Sequence, residues 1–247
     1  MGYDPDTSLG GPHEGFPSTR PSLLIAATGP ELGVRRGAFG AITVAYWKPV
    51  YKYIRLRWRK SNDEAKDLTQ DFFAEMLEGS LLADFNPARA SFATYLRMRL
   101  DGFVSNQNRD AGRLKRGGGV ELVSLDFESA ERELPAQANG ENSMEEYFHR
   151  EWQREMFALA VEDLRVLARQ KGKDVPLRVF EDHDLQEQPA TYAEIALRYG
   201  LPETAVTNYL AWARRELRRL LLDRLAEVTA GDRDFRQEAR ELFGPKR

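Results

Sequence analysis

TYAEIALRYGLPETAVTNYLAWARRELRR, Thr191 to Arg219, decides the fold, because spacing, turn chemistry and surface charge agree there. Tyr192, Ile195, Ala196 and Tyr199 recur at helical intervals and give a short first helix one apolar stripe. Gly200 stops it, since glycine accepts the left-handed conformation that ends one helix and turns into the next. Pro202 suits the first turn of a second helix, where a missing amide donor costs little. In that second helix Val206, Leu210, Ala213 and Leu217 share a narrow arc at about 100° per residue and are committed to the core. The opposite arc carries Thr204, Asn208, Ala211, Trp212, Arg215 and Arg219. Small and amide side chains near a helix start can enter a major groove and meet base edges, and arginines further along can reach phosphates. The stretch reads as a helix-turn-helix with a recognition helix. An ordinary helical hairpin with a solvated arginine face is the alternative that periodicity alone leaves open.

A chain of 247 residues can bury a proper core and makes one or two domains. With 30% charged and 42% hydrophobic residues it has a soluble globular balance, and no run of about twenty apolar residues suggests a membrane span. The start of the chain lacks the basic, apolar and small-residue succession of a secretory signal. Zero cysteines exclude disulfides and thiolate metal sites and fit a cytoplasmic protein. A net charge of -3 argues against coating nucleic acid by bulk charge, but the charges are sorted. Arg97, Arg99, Arg109, Arg113, Lys115 and Arg116 crowd one segment, and Arg214, Arg215, Arg218 and Arg219 another. Between them lies an acidic stretch, Glu121 to Glu146, poor in apolar residues. Two basic patches flanking an acidic connector suggest a two-site DNA contact.

Along the chain, residues 1–18 are rich in Gly, Pro and Asp without periodicity and read as disordered. Thr19 to Ala27 can begin a short helix. Phe39 to Trp58 keeps helical spacing, with a kink or break expected just before Pro49. Asp63 to Glu78 reads as a strong helix capped by Asn62 or Asp63, with Ala65, Leu68, Phe72, Phe73, Met76 and Leu77 inward and Asp67, Gln70, Asp71 and Glu75 outward. A further helix, Ser91 to about Ala111, buries Phe92, Leu96, Leu100, Phe103 and Val104 and exposes Arg97, Asp101, Ser105, Asn106, Asn108 and Arg109. That outer face suits either plain solvation or nucleic-acid contact. A flexible acidic linker is expected over 117–142, then helices over Ser143 to Gln170 and Pro176 to Leu185, the helix-turn-helix running on towards Val228, and a last helix around Phe235 to Phe243. No alternating strand pattern appears, so the expected fold class is all-α, with helical domains over 19–116 and 143–247.

Enzymatic signatures are lacking. His13, His149 and His183 have no ligand partner at helical spacing, RLKRGGG at 113–119 lacks the ending and preceding strand of a phosphate loop, and no nucleophile elbow or catalytic carboxylate pair stands out. The chain is expected to be a non-enzyme without cofactors or metal.

With these segments placed, the order of parts resembles an extracytoplasmic-function (ECF) sigma factor, over most of Phe39 to Leu222. DEAKDLTQDFFAEML at 63–77 resembles the core-polymerase helix of region two, and SFATYLRMRLDGFVSNQNRDAGRLKRGG at 91–118 its promoter-melting and minus-ten part. TYAEIALRYGLPETAVTNYLAWARRELRRL at 191–220 resembles region four. STRPSLLIAA at 18–27 and EARELFG at 238–244 resemble a subgroup of these proteins. The resemblance implies that Asp67, Gln70, Asp71 and Glu75 dock on core RNA polymerase. It implies that Arg97, Asn106 and Arg109 lie near the minus-ten element, and Asn208, Ala211, Trp212 and Arg215 near the minus-thirty-five element; Arg113, Thr204 and Arg219 complete the expected DNA-binding residues. The acidic linker then serves as a tether along polymerase or as a plain spacer.

The chain departs from the family pattern at Lys66, where an acid is common, at Trp212, where arginine is frequent, and at Pro202, where a serine or threonine cap is usual. Thr69, within a turn of Lys66, is a candidate for phosphorylation by a Ser/Thr kinase, which would return negative charge to the docking face. An anti-sigma factor is the other partner the resemblance admits. The expected function is that of a cytoplasmic sigma factor. The rivals are a stand-alone helix-turn-helix regulator of duplex DNA and a helical interaction protein without DNA contact.

Overall fold

The computed structural model describes residues 26–27, 29, 31–78, 81–82, 84–86, 88–110, 125–135, 143–229 and 232–243. Among them every regular element is an α-helix: α1 Leu32–Arg57, α2 Asn62–Glu78, α3 Phe92–Asp110, α4 Phe127–Arg132, α5 Met144–Gln170, α6 Asp174–Asp184, α7 Tyr192–Tyr199, α8 Glu203–Val228 and α9 Asp232–Phe243. The expected disordered segment 1–18, and most of the short helix expected over Thr19 to Ala27, lie outside the described residues. Two compact units emerge, one from 26–156 with Ala226–Arg236, the other from Phe157–Leu225 with 237–243.

The first unit is built on α1. This helix begins at Leu32, earlier than the spacing indicated, and stays helical through Pro49. A proline inside a helix costs about 3 kcal/mol. Here it is offset by burial on both sides, because Tyr46, Trp47, Val50, Tyr51, Tyr53 and Ile54 are all inside the core. Tyr46 stacks on Trp152, and Tyr53 meets Phe148 edge-on, so the first half of α5 closes over α1. The cap of α2 is Ser61 rather than Asn62 or Asp63. Its hydroxyl accepts from the Glu64 backbone N–H, and the Glu64 carboxylate accepts from the Ser61 N–H at 3.0 Å. Asn62 is engaged elsewhere, accepting from the Tyr51 hydroxyl at 2.9 Å. The inward stripes of α2 and α3 meet through Phe72 and Phe103.

The stretch expected to be a flexible connector is, over 125–135, a docked strap; 117–124 and 136–142 lie outside the described residues. Asp126 caps α4 by accepting from the Ser129 N–H at 3.0 Å, and Phe127 sets its ring against Trp47 and Tyr51 of α1. Glu131 takes Arg55 and the Tyr51 hydroxyl, while Glu133 lies 3.0 Å from Lys48 and 2.7 Å from Lys52. The acids of the expected flexible linker are thus answered by a cation row, Lys48, Lys52 and Arg55, at helical spacing on α1. Lys48 and Lys52 also pair with Glu155 and Glu151 of α5.

The second unit carries α6, α7 and most of α8. Four consecutive residues at the end of α6 bind four different neighbours. Glu181 accepts from Arg165 of α5 at 2.8 Å, and Asp182 from Arg198 at 2.6 Å and the Tyr199 hydroxyl at 2.9 Å, both of α7. His183 Nδ1 lies 2.8 Å from the Ala190 carbonyl oxygen, and Asp184 takes Arg214 of α8. This row fixes α7 and α8 on α6, so their positions rest on side-chain chemistry as well as on the apolar core.

Candidate functional site

The geometry of the second unit starts at Thr191. Its hydroxyl accepts from the Glu194 N–H at 3.3 Å while the Glu194 carboxylate accepts from the Thr191 N–H at 2.8 Å, a reciprocal cap that holds Glu194 below the usual carboxylate range. Gly200 ends α7 with φ 63° and ψ 38°, and the Leu201 N–H reaches back to the Ala196 carbonyl at 2.9 Å. Pro202 stands one residue before α8 rather than inside its first turn, and its carbonyl accepts from the Ala205 N–H at 2.9 Å. From this start Val206, Leu210, Ala213 and Leu217 are fully buried. On the opposite arc Thr204, Asn208, Arg215 and Arg219 are exposed, and Ala211 and Trp212 half-buried. All six side chains expected to read a duplex therefore share one face of α8.

The arginine run that begins at Arg214 is less free than its sequence implies. Arg214 is bidentate on Asp184, with both its Nε and Nη2 contacts at 2.7 Å, and the carboxylate raises the guanidinium pKa. Arg218 stacks over the Phe243 ring at 4.5 Å, and burial lowers its pKa. Arg219 pairs with Glu216 at 3.1 Å and Asp223 at 2.8 Å yet remains half-exposed. Among the described residues Arg215 alone of these four is exposed without a carboxylate or ring partner.

In the first unit the expected nucleic-acid face of α3 divides. Arg97, expected outward, is only 16% exposed, because its guanidinium lies 3.1 Å from Asp101 and 3.3 Å from Glu145 of α5. Asp101 also accepts from the Tyr53 hydroxyl and the Trp58 indole, so Arg97 completes a part-buried polar knot. Asn106 is exposed, together with Gln107 and Asn108. Arg109 is helical but its side chain lies outside the described ones, and Arg113 lies outside the described residues. Tyr95 is half-buried and donates to the Leu81 carbonyl at 2.6 Å.

The outer face of α2 presents Asp67, Gln70, Asp71 and Glu75, all exposed, with Lys66 half-buried at its border. Thr69, expected beside Lys66 on that face, has instead 0% exposure and donates to the Ala65 carbonyl at 2.7 Å. Thr69 is therefore buried on the same side of α2 as Phe72 and Phe73, with its hydroxyl taken up by its own helix.

The side chains that sequence reasoning missed are Asp184 and the α4 strap. A cap residue at Asp126 with Phe127 and Ala130 one turn apart was the available signal for the strap. Nothing local marks Asp184 as the partner of Arg214, thirty residues away.

No helix among the described residues is long and apolar enough to cross a membrane. A family model described as ECF sigma factor matches residues 51–223, from the last two turns of α1 almost to the end of α8. No curated protein and no solved structure matches the chain.

Proposed function

The chain belongs to the ECF sigma factor family, and we propose from that premise a division of labour among its helix faces. As a sigma factor it works with core RNA polymerase and directs promoter recognition, and its family is not an enzyme class. A stand-alone DNA-binding regulator is thereby set aside. In the proposal the acidic face of α2, through Asp67, Gln70, Asp71 and Glu75, docks on a basic surface of the polymerase. The outer arc of α8, with Thr204, Asn208, Ala211, Trp212, Arg215 and Arg219, enters the major groove of the minus-thirty-five element. The outer end of α3, at Asn106 and Arg109, lies along the melted minus-ten strand, where amides and cations hold extruded bases and phosphates. Arg97 supports that face from within. The chain itself catalyses nothing and acts in the cytoplasm.

The observation that carries this reading is the separation of faces on α8. Four fully buried apolar side chains commit one side to the core, which leaves a small, amide-bearing and cationic arc turned outward. Binding to core polymerase and to promoter DNA tests the two faces independently. Asp67→Lys with Asp71→Lys should abolish association with core polymerase while the protein stays folded. Arg215→Ala should leave that association intact and weaken promoter binding by the reconstituted holoenzyme. Undiminished promoter binding by Arg215→Ala would remove α8 from the DNA interface.

A further inference from the structure

We propose that Asp184 sets the DNA specificity of α8 by withholding the charge of Arg214 from the duplex. The inference rests on the reading that the outer arc of α8 meets DNA. The sequence places four arginines, Arg214, Arg215, Arg218 and Arg219, within one and a half turns of α8. Four cations there would grip any phosphate backbone, and such contacts carry no sequence information. The fold answers three of them from within the same unit. Asp184 neutralises Arg214 through two parallel bonds at 2.7 Å, Phe243 covers Arg218 at 4.5 Å, and Glu216 and Asp223 share Arg219.

Of these, the Arg214–Asp184 pair masks charge most completely. Its side chains are 11% and 15% exposed, and the carboxylate comes from α6, outside the α7–α8 pair that would meet the duplex. Arg214 lies three residues from Ala211 on α8, adjoining the outward arc, so an unmasked guanidinium there can reach the same groove edge. Asp182 pairs with Arg198 of α7 at 2.6 Å in a more exposed position, 53% and 27% against 11% and 15%, and masks its charge less. With the masks in place, Asn208, Ala211 and Trp212 do the reading while Arg215 supplies the backbone contact. Affinity for arbitrary duplex stays low, and the ratio between promoter and other DNA stays high.

Holoenzyme reconstituted from the full chain and core polymerase tests this, with binding to a promoter duplex and to a scrambled duplex followed across salt. Each additional phosphate contact steepens the dependence of log affinity on log salt by about 0.9. Between about 50 and 200 mM salt, one unmasked arginine therefore adds about a 3.5-fold loss of affinity. Asp184→Asn should show that steeper slope, bind the scrambled duplex more tightly at low salt, and lower the promoter-to-scrambled ratio. Arg214→Gln should leave the slope of the parent chain unchanged, and Asp184→Asn combined with Arg214→Gln should restore it. Asp184→Glu, which keeps the charge, should behave as the parent, and a cooperative melt well above the assay temperature shows that each variant is folded, the midpoint of Asp184→Asn being lower because its arginine partner stays part-buried.

A slope unchanged in Asp184→Asn, or flattened in Arg214→Gln, overturns the mask and makes Arg214 a structural or a direct DNA residue respectively. Arg215→Ala separates this failure from failure of the underlying reading. If it flattens the slope while Asp184→Asn does nothing, only the mask is wrong. If it too has no effect, α8 does not meet DNA.

Discussion

Phe127→Ala should detach α4 from α1 while leaving the α1–α3 core folded. Phe127 is 8% exposed, and its ring centre lies 5.3 Å from that of Trp47 and 5.2 Å from that of Tyr51. Truncating a buried phenylalanine costs about 3–5 kcal/mol where the surroundings cannot relax. In this segment the loss has a ceiling, since α4 spans 6 residues and its other buried side chain is Ala130. The part-exposed pairs of Glu131 and Glu133 add at most about 1 kcal/mol each. A segment so held opens by itself, without the core. With a loss of about 3 kcal/mol, protection of its amides from hydrogen exchange falls on the order of a hundred-fold. The reporters are the Ala130, Glu133 and Leu134 N–H groups, bonded to the carbonyls of Asp126, Ser129 and Glu131. Amides of Val50 and Ile54, buried in α1, are the reference. Loss confined to the reporters supports the strap; equal loss in α1, or none in either place, refutes it.

Three further outcomes follow from single groups. Thr69→Asp should lower the thermal midpoint sharply and leave polymerase affinity no higher, because it buries a carboxylate where a hydroxyl donates to the Ala65 carbonyl; a stable variant with raised affinity would contradict this. Gly200→Ala should cost about 1 kcal/mol and a few degrees of midpoint, since φ is 63° and nothing stands within 4 Å of an added Cβ, so backbone strain is the whole effect; an unshifted melt would reject that cause. Acidification should loosen α4, because hydrogen bonding from Arg55 holds Glu131 below its ordinary 4.5. A carboxylate with a lowered folded pKa stabilises above its unfolded value and loses that contribution as pH falls through the folded one, so protection at α4, taken relative to the intrinsic exchange rate at each pH, should fall below about pH 4.5. Protection at α4 that stays constant across that range would show that Glu131 contributes nothing to docking.

The helices that read clearly from sequence are those whose burial is one-sided. On α2, α3 and the α7–α8 pair, apolar residues recur at helical intervals, polar residues fill the rest, and Gly200 marks the turn. Periodicity fails where neighbours decide the outcome. Pro49 signals a break by local rules, yet the aromatic layer of Tyr46, Tyr51 and Trp152 overrides it. The strap reads locally as a flexible acidic linker because its partners, Lys48, Lys52 and Arg55, lie some eighty residues earlier. The site residues divide in the same way. Positions on an arc, such as Asn208 and Arg215, are fixed by helix geometry, while the charge state of an arc is not. Arg97 and Arg214 carry the residue type expected of a DNA contact, but Asp101, Glu145 and Asp184 claim them across the fold. Thr69 offers a hydroxyl within a turn of Lys66, but its angular position on the helix lies with the buried Phe72 and Phe73.

Transcription from a random promoter library by purified core polymerase, with and without the full chain, tests the central claim most directly. The expected result is a set of start sites that requires the chain, shares one minus-thirty-five and one minus-ten element, and disappears when Asp67 and Asp71 are exchanged for lysine. Transcripts no more abundant or ordered than those of core polymerase alone would contradict it.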